Sequence, residues 1–102
     1  MRKAEVHQQG QWAGVLEERD RQHYRFTYAP GYAGEPVSLA LPIRGEPYEF
    51  DQFPSVFEGL LPEGQQLEAL LRQYKVDRHD LFTQLLLVGA DVVDSLAVKE
   101  AS

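Results

Sequence analysis

The residues of this chain able to do chemistry are few. They are His7, His23 and His79, the serines Ser38, Ser55 and Ser95, and the carboxylate pairs Glu63/Glu68 and Asp77/Asp80. A helical metal site needs two ligands one turn apart, and no two of the histidines stand at i and i+4, so a metal would need a site assembled tertiarily. None of the serines sits in the Gly-x-Ser-x-Gly context that exposes a nucleophile at a sharp strand-to-helix turn. Glu63 and Glu68 would have to share a helix face to act as acid and base. Five residues apart they do not, so Glu63 reads as a partner of the helix dipole and Glu68 as a solvated charge. Asp77 and Asp80 suit helix capping better than catalysis. Phosphoryl transfer needs a phosphate-cradling glycine loop, a lysine and metal-binding carboxylates. The pairs Gly10/Gly14 and Gly31/Gly34 lack the spacing of such a loop. The aromatic residues Trp12, Tyr24, Phe26, Tyr28, Tyr32, Tyr48, Phe50, Phe53 and Phe57 would need interleaved arginines to stack bases. From Tyr24 onward only Arg25 and Arg44 lie among them, so packing between sheet and helices is the expected role. The chain reads as a binding protein, not an enzyme.

The elements that must position these residues divide the chain in two. The first part reads as β. Ala4–Gln8 alternates, Gln9-Gly10 makes a tight turn, and Gln11–Leu16 forms the second strand of a hairpin. Glu17–Arg21 has no apolar member and is expected as a loop. Tyr24, Phe26 and Tyr28 fall on one face of a third strand. Ala29–Pro36 is loop, and Val37, Leu39 and Leu41 predict a fourth strand ended by Pro42.

The second part reads as α. Asp51 is expected to cap a short helix in which Phe53, Val56, Phe57 and Leu60 share a face and Pro54 sits in the first turn. Pro62-Glu63 predicts a fresh helix start, and Leu67, Leu70, Leu71 and Tyr74 fall at i, i+3, i+4 and i+7. Asp77 and Asp80 predict the cap of a third helix that is apolar on nearly every side and closes at Gly89. Leu96–Val98 is expected to return as a last strand. The fold class is therefore α+β: a small antiparallel sheet, hairpin plus further strands, packed against about three helices, in one domain over residues 1–102.

Composition narrows the setting. Ten basic and sixteen acidic residues give a formal charge of −6, so direct nucleic-acid binding is disfavoured and a basic protein surface is the natural partner. The absence of cysteine removes disulfides and thiolate chemistry and fits a reducing compartment. Met1–His7 carries basic residues with no apolar region behind them, which is not the pattern of a signal peptide. The longest apolar run, Leu85–Ala90, is far too short to span a bilayer. The expected location is the cytoplasm.

Three proline- and glycine-punctuated pieces carry a resemblance: Pro36-Val-Ser-Leu-Ala-Leu-Pro42, Phe57-Glu-Gly-Leu-Leu-Pro-Glu-Gly64, and Gly89-Ala-Asp91 after Leu81-Phe82. In this order, following a hairpin and an aromatic strand that closes in Tyr28-Ala-Pro30, they resemble the first N-terminal subdomain of HipA-type serine/threonine kinases over roughly residues 3 to 98. In those toxin kinases the subdomain lies beside the catalytic core and helps frame the active-site cleft. The resemblance extends to stand-alone HipS-like proteins, which accompany a shortened HipT-like kinase and a HipB-like helix-turn-helix protein. It implies an antitoxin that binds and inhibits the kinase; no cofactor or metal is expected, and the charge and hydropathy above leave no direct contact with nucleic acid or membrane. The alternatives are a subunit that completes and activates the shortened kinase, or an N-terminal fragment of a longer one. Two departures bear on this choice. Where the family continues with Gly-Ala-Val, this chain reads Asp94-Ser95-Leu96, and with the terminus at Ser102 that fits a chain not continuing into a kinase. After Pro-Glu-Gly stands Gln65, which can hydrogen-bond but cannot fill an apolar cleft as an aromatic would. The turn Leu61, Pro62, Glu63, Gly64 and Gln65 is the expected kinase-facing site.

Overall fold

Gln9 and Gly10 both take positive φ, 53° and 81°, and this pair of left-handed residues joins β1 (Arg2–Gln8) to β2 (Gln11–Asp20) as a two-residue hairpin. The computed structural model describes residues 2–20, 22–89 and 96–100. β3 (His23–Tyr28) pairs with β2, β4 (Tyr48–Phe50) pairs with β3, and β5 (Leu96–Glu100) pairs with β1. The result is a five-stranded, wholly antiparallel sheet in the order β4-β3-β2-β1-β5. Three helices follow β4 in the chain: α1 (Ser55–Glu58), α2 (Gly64–Tyr74) and α3 (Leu81–Gly89). The α+β architecture is the one expected, and Leu96–Val98 returns as the last strand.

Strand register explains where the core sits. Ala4 faces Leu16, Leu16 faces Phe26, and Phe26 faces Tyr48, so these side chains form one lateral row on one side of the sheet. The next row is Val98, Val6, Gly14 and Tyr28. Phe57, Phe82 and Leu85 from the helices complete the buried cluster. The aromatic residues serve this core: Phe26 meets Tyr28 edge-on at 4.9 Å between centroids, and Tyr24 meets Phe53 edge-on at 5.3 Å. Trp12 is the exception, nearly half exposed, with its indole N–H donating to the Gly14 carbonyl at 3.0 Å.

Several local expectations are corrected. The charged run after Leu16 is not a loop, because β2 continues to Asp20. Its charges are held by the sheet: Lys3 faces Glu17 and Glu17 faces Arg25, while Arg25 faces Glu49 and binds it at 2.7 Å. Alternating signs across the outer face stabilise a strand that hydrophobicity alone does not reveal. The fourth strand predicted over Val37–Leu41 is instead a turn, closed by the Leu41 N–H on the Ser38 carbonyl at 3.0 Å. Its place in the sheet is taken by Tyr48–Phe50, a segment too short to show periodicity. Asp51 does not cap α1, whose N-cap is Pro54 and which stops at Glu58. Pro62 lies ahead of α2, not within it: Glu63 is extended, and Gly64 turns the chain with φ +58° before the helix runs. The stripe Leu67, Leu70, Leu71 and Tyr74 is on a helix, but α2 contains no fully buried residue.

α3 is the most buried helix, with Phe82, Gln84, Leu85 and Gly89 inside. Asp80 caps it, accepting from the Thr83 N–H at 3.1 Å and the Thr83 hydroxyl at 2.7 Å. Asp77 shapes the preceding turn, accepting from the His79 N–H at 2.7 Å. Gly89 lets α3 approach β5, since a Cβ there would lie 2.8 Å from Val98 Cβ. The segment Ala90–Ser95, with its Asp91, Asp94 and Ser95, lies outside the described residues, as do Ala101 and Ser102.

Candidate functional site

The turn from Leu61 to Gln65 has an inner and an outer part. Leu61 is half-buried against the core cluster, and its N–H donates to the Glu58 carbonyl at 3.1 Å. Pro62 is half-buried, while Glu63, Gly64 and Gln65 are exposed. No side chain caps the first turn of α2, so its free N–H groups and the Glu63 and Gln65 side chains face solvent together. This arrangement can present hydrogen bonds and one negative charge to a partner. Glu68 pairs with Arg78 at 2.5 Å and not with Glu63.

The remaining candidates are dispersed. His7 meets Glu5 at 3.1 Å on β1, and His23, two strands away on β3, meets Glu49 at 2.6 Å. The His23 contact first, and then Arg25, hold the Glu49 carboxyl below its usual range. Among the described residues no three histidine or carboxylate groups converge as metal ligands. Ser38 and Ser55 line one small hollow with no histidine in its wall, and Ser95 lies outside the described residues.

An ionic cluster at one end of the core was not foreseen. Strand alternation places Arg2 on the same side as Ala4 and Val6, facing the helices, with Glu18 beside it in register. Arg2 donates to Glu18 at 2.7 Å, to the Thr83 hydroxyl at 2.6 Å and to Asp80 at 2.8 Å, and its guanidinium lies 4.9 Å from the Phe82 ring centre. Glu18 above all, and then Asp80, raise the Arg2 pKa. A cleft of about 690 Å³ opens here, lined by Arg2, Glu18, Gln22, Tyr24, Asp77, His79 and Asp80. Because its arginine is already engaged by two carboxylates, the cluster ties β1, β2 and α3 together. Alternation along β1 was the one available signal, and it needed the partner strand's register to be read.

A second unforeseen feature lies in the loop between β3 and β4. The Tyr28 hydroxyl donates to the Leu41 carbonyl and accepts the Val37 N–H at 3.1 Å. Burial pushes the Tyr28 phenol pKa up, so the hydroxyl stays protonated as a donor. Tyr48 donates to the Pro42 carbonyl at 2.5 Å, and Arg44 lies 3.6 Å over the Tyr48 ring while binding the Glu46 and Pro47 carbonyls. Two tyrosines thus pin the loop at both ends, and between them Leu39 is 98% exposed.

Comparison with known proteins covers almost the whole chain. The profile of the HipA N-terminal domain family matches residues 4–99. An uncharacterized protein of Haemophilus influenzae is 31% identical over 100 residues, spanning 98% of this chain and 93% of that protein. A solved structure described as the N-terminal domain of HipA toxin superposes with a TM-score of 0.76 at 28% identity, covering 100% of this chain and 94% of that one.

Proposed function

The chain belongs to the HipA N-terminal domain family, and from that premise we propose that it is an antitoxin which binds a HipA/HipT-like serine/threonine kinase toxin and holds it inactive. A HipB-like helix-turn-helix protein joins through the complex. The observation that carries this reading is the extent of the likeness. The family profile spans residues 4–99, and the Haemophilus influenzae relative, matched over 93% of its length, is itself a protein of about this size. On this reading the domain acts apart from a catalytic core, through its surface. The turn Leu61–Gln65 is the contact we assign to the kinase, supported by its half-buried base and exposed polar tip.

Inhibition by a separate chain is a linkage effect. A protein that binds the open kinase better than the closed one shifts the population by that difference in affinity and by no more. The restraint then depends on concentration, so dilution or proteolysis of this chain releases the kinase. The formal charge of −6 suits a basic partner surface. No described helix is long and apolar enough to cross a membrane, and a cytoplasmic location without cofactor, metal or catalysis of its own completes the proposal.

One observation favours a second reading. The same fold occurs in a chain described as part of a HipA toxin, so the domain could instead complete a kinase and support its activity. Adding the purified domain to the HipA-type kinase of the same genome and following phosphorylation separates the two. Suppression is the expected result, and stimulation would establish the subunit.

A further inference from the structure

We propose that Leu39 is a docking peg that enters an apolar pocket of the kinase, and that the hollow beside it receives one apolar side chain in return. The inference rests on the kinase-binding function proposed above and assigns it a second contact, separate from the Leu61–Gln65 turn.

Leu39 stands almost wholly in water at the tip of a pinned loop, where its large apolar side chain gains no burial from the fold itself. Leu39 is 98% exposed, while Leu41, two residues on, is buried in the core. The turn between them is fixed by the Ala40 N–H on the Ser38 hydroxyl at 3.1 Å and the Leu41 N–H on the Ser38 carbonyl at 3.0 Å. Tyr28 holds the outer flanks at Val37 and Leu41, and Tyr48 holds Pro42. The backbone entropy of presenting the side chain is thus lost during folding and not on binding, which is the condition for a strong contact from one residue. Small neighbours, Ser38 and Ala40, leave the peg clear on both sides.

The neighbours Ser38 and Ala40 border a hollow of about 140 Å³, room for one side chain, completed by Leu41, Phe50, Ser55 and Val56. Its far wall is α1, which runs through Gly59 and Leu60 into the Leu61–Gln65 turn. The hollow is thus joined to that turn through one short helix, Ser55–Glu58. Self-association would set two chains of charge −6 against each other, which leaves the kinase of the proposed function, met through a basic surface, as the occupant assigned here.

The test is affinity for the HipA-type kinase of the same genome, measured by titration with the full chain. Leu39→Asp should weaken binding by roughly 30- to 100-fold, the effect of removing one fully buried leucine, while its thermal melt stays that of the wild type. Leu39→Met should bind within a few-fold of wild type, and Ser55→Trp, which fills the hollow, should lose affinity as Leu39→Asp does. Wild-type affinity in Leu39→Asp overturns the peg and leaves the kinase-binding function standing. A wild-type chain that does not bind the kinase at all overturns the function itself. A wild-type dimer in sedimentation that Leu39→Asp dissolves assigns the peg to a second copy and overturns its assignment to the kinase.

Discussion

Arg2 and Asp80, separated by 78 positions in the chain, meet through an N–H···O contact of 2.8 Å that joins the first strand to the cap of the last helix. Asp80 simultaneously accepts from the Thr83 N–H and hydroxyl, so one carboxylate starts α3 and docks it against the sheet. Arg2 is shared with Glu18, so the contact is one member of a network and not an isolated surface pair.

Arg2→Met should therefore cost about 1–3 kcal/mol, since charged hydrogen bonds to two carboxylates are lost and Asp80 is left facing Glu18 across the cleft. Urea denaturation measures the loss. A double-mutant cycle with Asp80→Ala should show a coupling of about 0.5 kcal/mol or more; strict additivity would mean that the pair contributes nothing.

The same pair predicts an acid limb. Burial opposes ionisation of Asp80, but the Arg2 guanidinium and the Thr83 hydroxyl and N–H outweigh it and hold the carboxyl below its usual 3.8. The folded state thus binds the Asp80 proton less readily than the unfolded chain does. The stabilisation is complete above pH 3.8 and is lost as pH falls through the lower folded value. Midpoints of urea unfolding followed from pH 6 to pH 2 should fall in this window, and the fall should be shallower in Asp80→Asn.

Gly14 lies at a sheet position where only hydrogen fits. A Cβ there would collide with the Thr27 carbonyl oxygen and lie 2.9 Å from Phe26 Cζ. Gly14→Ala should destabilise by about 1–3 kcal/mol, because both neighbours belong to the packed β2–β3 pair. A melt within a degree of wild type would show that the strand can shift to make room.

Glu63→Arg together with Gln65→Arg should weaken kinase binding by roughly tenfold or more if the turn faces a basic surface. Both side chains are exposed, so stability should stay within about 0.5 kcal/mol of wild type. Titration calorimetry against the kinase, paired with a thermal melt, reads the two effects apart. Unchanged affinity removes this turn from the interface.

Local pattern by itself determined the hairpin at Gln9-Gly10, the aromatic face of β3, the amphipathic stripe of α2 and the cap of α3. Each depends on residues within one or two turns of each other, where φ preference, period and capping chemistry act without knowledge of the rest. The motifs that carry the family resemblance were equally legible. What only the tertiary structure decided depends on partners distant in the chain. β2 extends to Asp20 because Arg2, Lys3 and Arg25 set opposite charges against Glu17 and Glu18 across the sheet. Val37–Leu41 forms a turn because the Tyr28 hydroxyl takes its backbone groups, so the alternation Val37, Leu39, Leu41 marks no strand. The exposure of Leu39 follows from that same substitution of side-chain for strand hydrogen bonds. Arg2 is a structural cation because register, not its own neighbours, sets it opposite Glu18 and beneath Asp80.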